Sequence, residues 1–230
     1  MYSFIRKLVY STVRESSHQA RCNLFFSVMR PRDGVSILDL GGVTGDFMAR
    51  IKDRINARFI VADIGTGPLI AQSKYGFEPV FLEEDKPLPF DDKEIDIVFC
   101  NSVIEHVTLP KKLCVSERFS REEWKSRSFQ SQRRFAGEIR RIGKSYFVQA
   151  PHKSFPIESH TWLPIVNWLN HNQIVSLVRF TDKYWVKHCG YVDWNLLGDQ
   201  EMRTLFPDAT IKIERLWGFP KSVIAFKPYS

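Results

Sequence analysis

The sequence lacks any apolar run approaching the ~20 residues that cross a bilayer as a helix, so a spanning helix is excluded. Cysteine is scarce: Cys22, Cys100, Cys114 and Cys189 are scattered, with no C-x-x-C pair. That argues against a zinc ribbon or a disulfide framework and fits a reducing compartment. No secretory signal is expected either, because Arg6, Lys7, Arg14, Arg21 and Arg30 interrupt the first thirty residues. Internal repeats and low-complexity tracts are absent. What the chain does have is aromatic surface: 18 Phe, 7 Tyr and 6 Trp in 230 residues, enough to offset the chain entropy of a folded domain. A cytoplasmic location is expected.

Charge of one sign is concentrated in one place. Between Lys111 and Lys144 eleven basic residues face four acids, which accounts for the whole net charge of +7. Such a stretch attracts phosphates, nucleotide-sugars, anionic lipid heads or RNA, or it is simply a solvated helical face. At the N-terminus Phe4, Ile5, Leu8 and Val9 recur at helical spacing. This short amphipathic segment reads first as a helical cap over residues 1–34 and second as a peripheral membrane contact.

Apolar and β-branched runs alternate with helical periodicities. Strands are expected at Val35–Leu40, Arg58–Asp63, Glu78–Leu82, Ile95–Cys100 and Lys144–Ala150, and a hairpin joins Thr210–Trp217 to Ser222–Phe226. Helices are expected at Asp46–Ile55, around Leu69–Lys74, over much of Lys111–Ile142 and at Trp162–Leu177. The alternation implies an α/β sheet buried on both faces, with ligands bound where strands end.

The loops at those strand ends carry the chemistry. Leu38-Asp39-Leu40-Gly41-Gly42-Val43-Thr44-Gly45 is a glycine-rich turn from strand to helix, and glycine lets a main chain approach a ligand where a Cβ would collide. It fails the dinucleotide pattern G-x-G-x-x-G, since the later glycines would fall at Val43 and Asp46. Asp63 ends the second strand, 18 residues beyond Gly45, where an acid accepts hydrogen bonds from ribose hydroxyls. Then come Glu83-Glu84-Asp85-Lys86-Pro87-Leu88-Pro89-Phe90-Asp91-Asp92 and, after the fourth strand, Asn101-Ser102-Val103-Ile104-Glu105-His106. Gly137–Ser145 imitates a phosphate-binding loop but has five residues between its glycines instead of four.

In order and spacing these four blocks resemble the class I S-adenosylmethionine-dependent methyltransferases, closely over Val35–Val107 and more loosely to the C-terminus. The resemblance implies a Rossmann-like seven-stranded sheet, mainly parallel with an antiparallel terminal strand, helices on both faces, and S-adenosyl-L-methionine as cofactor. It implies one domain over residues 35–230, with a basic helical insertion at 107–143 and a substrate lid at 151–200. Position by position, Asp39, Gly41, Gly42 and Gly45 match the loop beneath the methionine part of the cofactor. Asp63, with Ile64 beside it, matches the ribose acid. Glu84 or its neighbour Asp85 stands where an acid reaches the adenine amine, and Asn101 matches the position beside the transferable methyl. One departure is Val43, where the family has glycine; a β-branched residue disfavours positive φ.

Candidate groups for the acceptor's chemistry are His106, after the fourth strand, and Glu158 and His160, in the proline-rich turn after the fifth. A hydroxyl acceptor would gain from a base there. No metal is expected: His152 and His160 are too widely spaced for an H-x-x-x-H pair, and no cysteine is near. The expected function is methyl transfer to an anionic small-molecule, lipid or glycan-precursor acceptor, with nucleic acid disfavoured because few aromatics accompany the basic stretch. Two rivals stay open, a non-catalytic cofactor-binding module and an RNA methyltransferase.

Overall fold

The computed structural model describes residues 18–110, 113–114, 118–158, 160–161, 163–164, 166, 169–181 and 192–229. The amphipathic N-terminal segment and the first part of the expected cap therefore lie outside the described residues, as do Lys111, Lys112 and Cys189. Seven strands form one sheet in the order β3-β2-β1-β4-β5-β7-β6. The chain divides into two compact units, one comprising Met1–Phe99, Gly143–Phe147 and Phe226–Ser230, the other Cys100–Ile142 and Val148–Ala225. No helix among the described residues is long and apolar enough to cross a membrane.

In the first unit, helix α1 (residues 18–29) buries Cys22, Phe25 and Met29 along one stripe. Strand β1 (Ser36–Leu40) is buried throughout, as a central parallel strand must be. It pairs in parallel with β2 (Arg58–Asp63) and β4 (Ile95–Asn101), and β2 pairs in parallel with β3 (Glu78–Phe81). The register sets Leu40 against Ala62 and Asp63 against Phe81, so the C-terminal ends of these strands come out along one edge. Phe99 is the hub of an aromatic core: it stacks on Phe47 at 4.2 Å and meets Phe25 edge-on at 5.7 Å. Each buried phenyl contributes about 1.5–3 kcal/mol.

The expected helix Asp46–Ile55 is shorter in the structure. Helix α2 covers Asp46–Ala49, and a 3₁₀ turn follows at Lys52–Arg54. Arg50 and Ile51 already donate to the carbonyls three residues back, a tighter winding that brings the chain to β2 within a few residues. Helix α3 runs Gly67–Tyr75.

In the second unit, a 3₁₀ turn at Ile104–His106 precedes α4 (Arg121–Ile142), a 22-residue helix that buries Trp124, Ser128, Gln132, Ala136 and Ile139 on one face. Its arginines are largely occupied by neighbours: Arg127 pairs with Glu123, Arg141 with Glu138, and Arg133 lies over Phe129. Helix α4 runs straight into β5 (Gly143–Pro151), so the phosphate-loop lookalike has helix before strand. The helix expected at Trp162–Leu177 is displaced. Pro164 instead forms an antiparallel bridge with Ile157, and α5 covers His171–Thr181. Its start is set by a reciprocal cap, Asn170 Oδ1 accepting from Gln173 N while Gln173 Oε1 accepts from Asn170 N. Helix α6 (Asp199–Leu205) leads to β6 (Thr210–Leu216) and β7 (Phe219–Lys227). The two-residue link Trp217-Gly218 has φ of 52° and 81°, a type I′ turn that makes this terminal pair an antiparallel hairpin.

Candidate active site

At the end of β1 the chain turns through Gly41 at φ 76° and Gly45 at φ 69°, and Gly45 opens α2. Asp39 lies beneath this loop, 2% exposed, and its Oδ2 has no hydrogen-bond partner among the described residues. A Cβ on Gly42 would fall 2.2 Å from the Asp39 carboxyl carbon, so glycine is there to let the loop lie on the carboxyl. Burial, aided by the charge of Asp63, pushes the Asp39 carboxyl up to about 7.

Asp63 closes the site from β2. Its Oδ2 accepts from Val43 N at 2.7 Å and its Oδ1 from Ile64 N at 2.6 Å. A carboxylate has about four lone-pair sites, so roughly two remain for further donors. Val43 occupies the left-handed conformation with φ 47°, and its side chain is exposed rather than filling the turn. Ile64, Leu69, Ile70 and Phe81 are exposed apolar side chains on the segments that follow β2 and end β3. Tyr75 Oη donates to Asp46 at 2.7 Å and so ties α3 to the first turn of α2; this bond, against a small effect of burial, holds the Asp46 carboxyl below its usual range. Glu84 and Asp85 stand exposed in the turn after β3, where Asp85 takes φ 62°. Asn101 ends β4, and Ser102 after it has φ 57° and is fixed by Gln149 through N–H and hydroxyl bonds of 3.0 and 2.9 Å. A surface hollow of about 800 Å³ lies elsewhere: it is lined by Arg58 and Glu78 at the other ends of β2 and β3.

The second unit brings His106, Glu158 and His160 together. His160 Nδ1 lies 2.5 Å from Glu158 Oε1, His106 Nδ1 lies 3.0 Å from Asp193 Oδ1, and the two Nε2 atoms face each other at 3.1 Å. Glu158 is buried, a location that raises its carboxyl, but the bond from His160 and the N–H groups of His160 and Thr161 outweigh this and hold it below the usual range. Burial lowers the His106 imidazole, yet Asp193 together with Glu105 and Glu158 raises it above its usual value. Trp194 stacks on His160 at 4.6 Å. Gln132 donates to the carbonyls of Ile104 and Asn195, and Asn195 N donates to Glu105 O, so α4 fixes the His106 turn against the Asp193 segment. His152 takes no part: it accepts from Ser154 N within its own turn. Sequence reasoning missed Asp193, Trp194 and Gln132, none of which sits in a local pattern.

Residues 38–118 match the methyltransferase-domain family model. Over those residues the chain carries an S-adenosylmethionine-dependent methyltransferase domain. No curated protein matches it. Among solved structures, a Pyrococcus horikoshii OT3 protein shares 14% identity over 94% of this chain and 91% of its own, with a TM-score of 0.59. The geranyl diphosphate C-methyltransferase of Streptomyces coelicolor A3(2), in complex with geranyl diphosphate, Mg2+ and S-adenosyl-L-homocysteine, shares 10% over 98% of this chain and 84% of its own, with a TM-score of 0.57. At these identities both likenesses bear on the fold. The methyltransferase's cofactor is S-adenosylmethionine, and the loop fits it: a buried carboxyl oxygen without a partner, an acid with acceptor sites to spare and exposed apolar side chains suit a cationic nucleoside.

Two consequences arise for this loop. Val43→Gly relieves a β-branched residue at positive φ, and we expect a gain of up to about 1 kcal/mol, or ~2–4 °C in Tm, read by thermal melting. The pH response of Asp39 is larger. Its folded pKa of about 7 exceeds the carboxyl's ordinary value, so between about pH 4 and pH 7 the unfolded chain has released a proton that the folded chain keeps. This residue's contribution is fully present below pH 4 and is lost as pH rises to 7, at up to about 1.4 kcal/mol per pH unit. Asp39→Asn removes that slope. Urea midpoints at pH 5 and pH 8 check it: the variant gains on the parent at the higher pH.

Proposed function

We propose that this methyltransferase transfers a methyl group to an anionic small-molecule, lipid or glycan-precursor acceptor. The observation that carries the cofactor half is Asp63, whose carboxylate faces the glycine loop and is held there by Val43 N and Ile64 N. In this reading Asp39, Gly41, Gly42 and Gly45 cradle the methionine part, Asp63 and Ile64 the ribose, Glu84 and Asp85 the adenine, and Asn101 the region of the methyl group. The cofactor's sulfonium makes that methyl electrophilic, and the protein's share is alignment, worth up to ~7–11 kcal/mol in ideally oriented systems.

His106, His160 and Glu158 are the acceptor-activating centre in this reading, since an array of imidazoles and carboxylates lowers the cost of removing an acceptor proton. The motive for anion preference is the excess of basic residues along α4, where Lys125 lies near Arg121 and near Lys153, itself paired with Glu201. The Streptomyces coelicolor relative, whose ligand carries a diphosphate, is consistent with such a preference.

The experiment is incubation with methyl-labelled cofactor and fractionated extract of the source cell. Label should enter a lipid, glycan or small-molecule fraction, and His160→Ala should lower its rate by about 10²–10⁴-fold without weakening cofactor binding. Label in RNA would overturn the acceptor class. Cofactor binding with no transfer to any fraction would reduce the protein to a binding module.

A further inference from the structure

The centre around His106 and His160 poses a problem in lone pairs. Each Nδ1 faces a carboxylate, Asp193 for His106 and Glu158 for His160. Those nitrogens therefore carry the protons, and in the neutral rings both Nε2 atoms present lone pairs. Yet the two Nε2 atoms stand 3.1 Å apart. Two lone pairs facing at that distance repel, and so do two N–H groups, so a single positive centre belongs between the rings. The surrounding charge agrees. Glu105 and Glu158 are buried and Asp193 is nearly so, and all three carboxylates converge on two imidazoles that can share at most one proton along this line. A donor atom from each of Glu105, His106 and His160 lies within 4.8 Å of the other two.

We propose that this centre is a divalent transition-metal site, with His106 Nε2, His160 Nε2 and the Glu105 carboxylate as ligands and Asp193 and Glu158 as the carboxylates that orient the two rings. Nitrogen-to-metal bonds of ~2.0–2.1 Å place two nitrogens 3.1 Å apart when the angle at the metal is about 100°, between octahedral and tetrahedral. A histidine ligand donates its other ring N–H to a carboxylate as a rule, which both histidines do here. Two imidazoles and one carboxylate select zinc, iron or cobalt over magnesium or calcium. Three protein ligands leave positions open for water or an acceptor oxygen, and metal coordination makes such an oxygen easier to deprotonate. This deepens the reading of the centre as acceptor-activating, but the binding itself does not depend on methyl transfer.

The test is titration of the full-length, chelator-treated protein with Co2+ alone, followed by visible absorption and calorimetry, beside a parallel titration with S-adenosylmethionine. One Co2+ per chain is expected, displaced by Zn2+ and not by Mg2+. His106→Ala and His160→Ala should each weaken it by about 100-fold or more, and Asp193→Asn by about 10–100-fold, with cofactor affinity unchanged. Should those variants fold poorly, Co2+ added to the parent protein must perturb the ring resonances of both histidines in NMR spectra. No stoichiometric binding, binding that the histidine variants retain, or unperturbed ring resonances each overturn the site. Cofactor binding read in the same experiment separates that outcome from failure of the methyltransferase reading.

Discussion

Asp63→Ala is expected to raise the dissociation constant for S-adenosylmethionine by at least about 100-fold. A hydrogen bond to a charged group contributes roughly 1.5–3 kcal/mol, and two such bonds to a ribose diol lie in the range of two to four decades. The substitution acts in a second way. The Val43 and Ile64 amides both donate to this carboxylate, so removing it also frees the loop. Asp63→Asn separates the two effects. Its amide keeps one acceptor oxygen and can hold one of the two N–H groups, so the loop stays largely tied while the charge is gone. Calorimetry should therefore rank the dissociation constants as alanine well above asparagine, and asparagine well above the parent. Thermal melting without cofactor should show asparagine close to the parent. A dissociation constant for Asp63→Ala within twofold of the parent would sink the assignment of this acid.

How much of this was legible in the sequence depends on distance along the chain. The glycine loop and Asp63 were readable because each follows a short apolar strand, and parallel pairing brings adjacent strand ends to one edge. The His106, Glu158 and His160 group was readable only as three separate strand-end residues; their convergence depends on tertiary packing. Asp193 is 87 residues from the histidine it faces, and nothing near Val192-Asp193-Trp194 announces a role. Helix α5 was misplaced for a different reason. Apolar periodicity continues from Trp162, but the backbone preference around Pro164 and the cap formed by Asn170 and Gln173 set the start instead. Absence of a metal was expected from histidine spacing along the chain, a criterion that does not weigh residues on separate turns such as His106 and His160.

Gly42 is a position where the fold leaves no room for a side chain. Its φ is not in the left-handed region, unlike those of Gly41 and Gly45, so an alanine is not excluded by the backbone. The obstacle is contact alone: the added Cβ would meet both oxygens and the carboxyl carbon of Asp39 at 2.2–2.7 Å. Asp39 cannot swing clear, since it is buried in β1 between its register partners Val61 and Phe99. Gly42→Ala should therefore cost about 1–3 kcal/mol, several degrees in Tm, and weaken cofactor binding by at least about tenfold as the loop lifts. If contact with the carboxyl is the cause, Asp39→Ala makes room, and Asp39→Ala/Gly42→Ala should be more stable than the sum of the single effects by about 1 kcal/mol or more. The cofactor should respond otherwise. Its affinity stays low in the double variant, because the carboxyl beneath the loop is missing in both. Stability that recovers while binding does not is the signature of a carboxyl that the fold accommodates at a cost and the cofactor requires. Additive single effects, measured by urea denaturation, would show that the contact is not the cause.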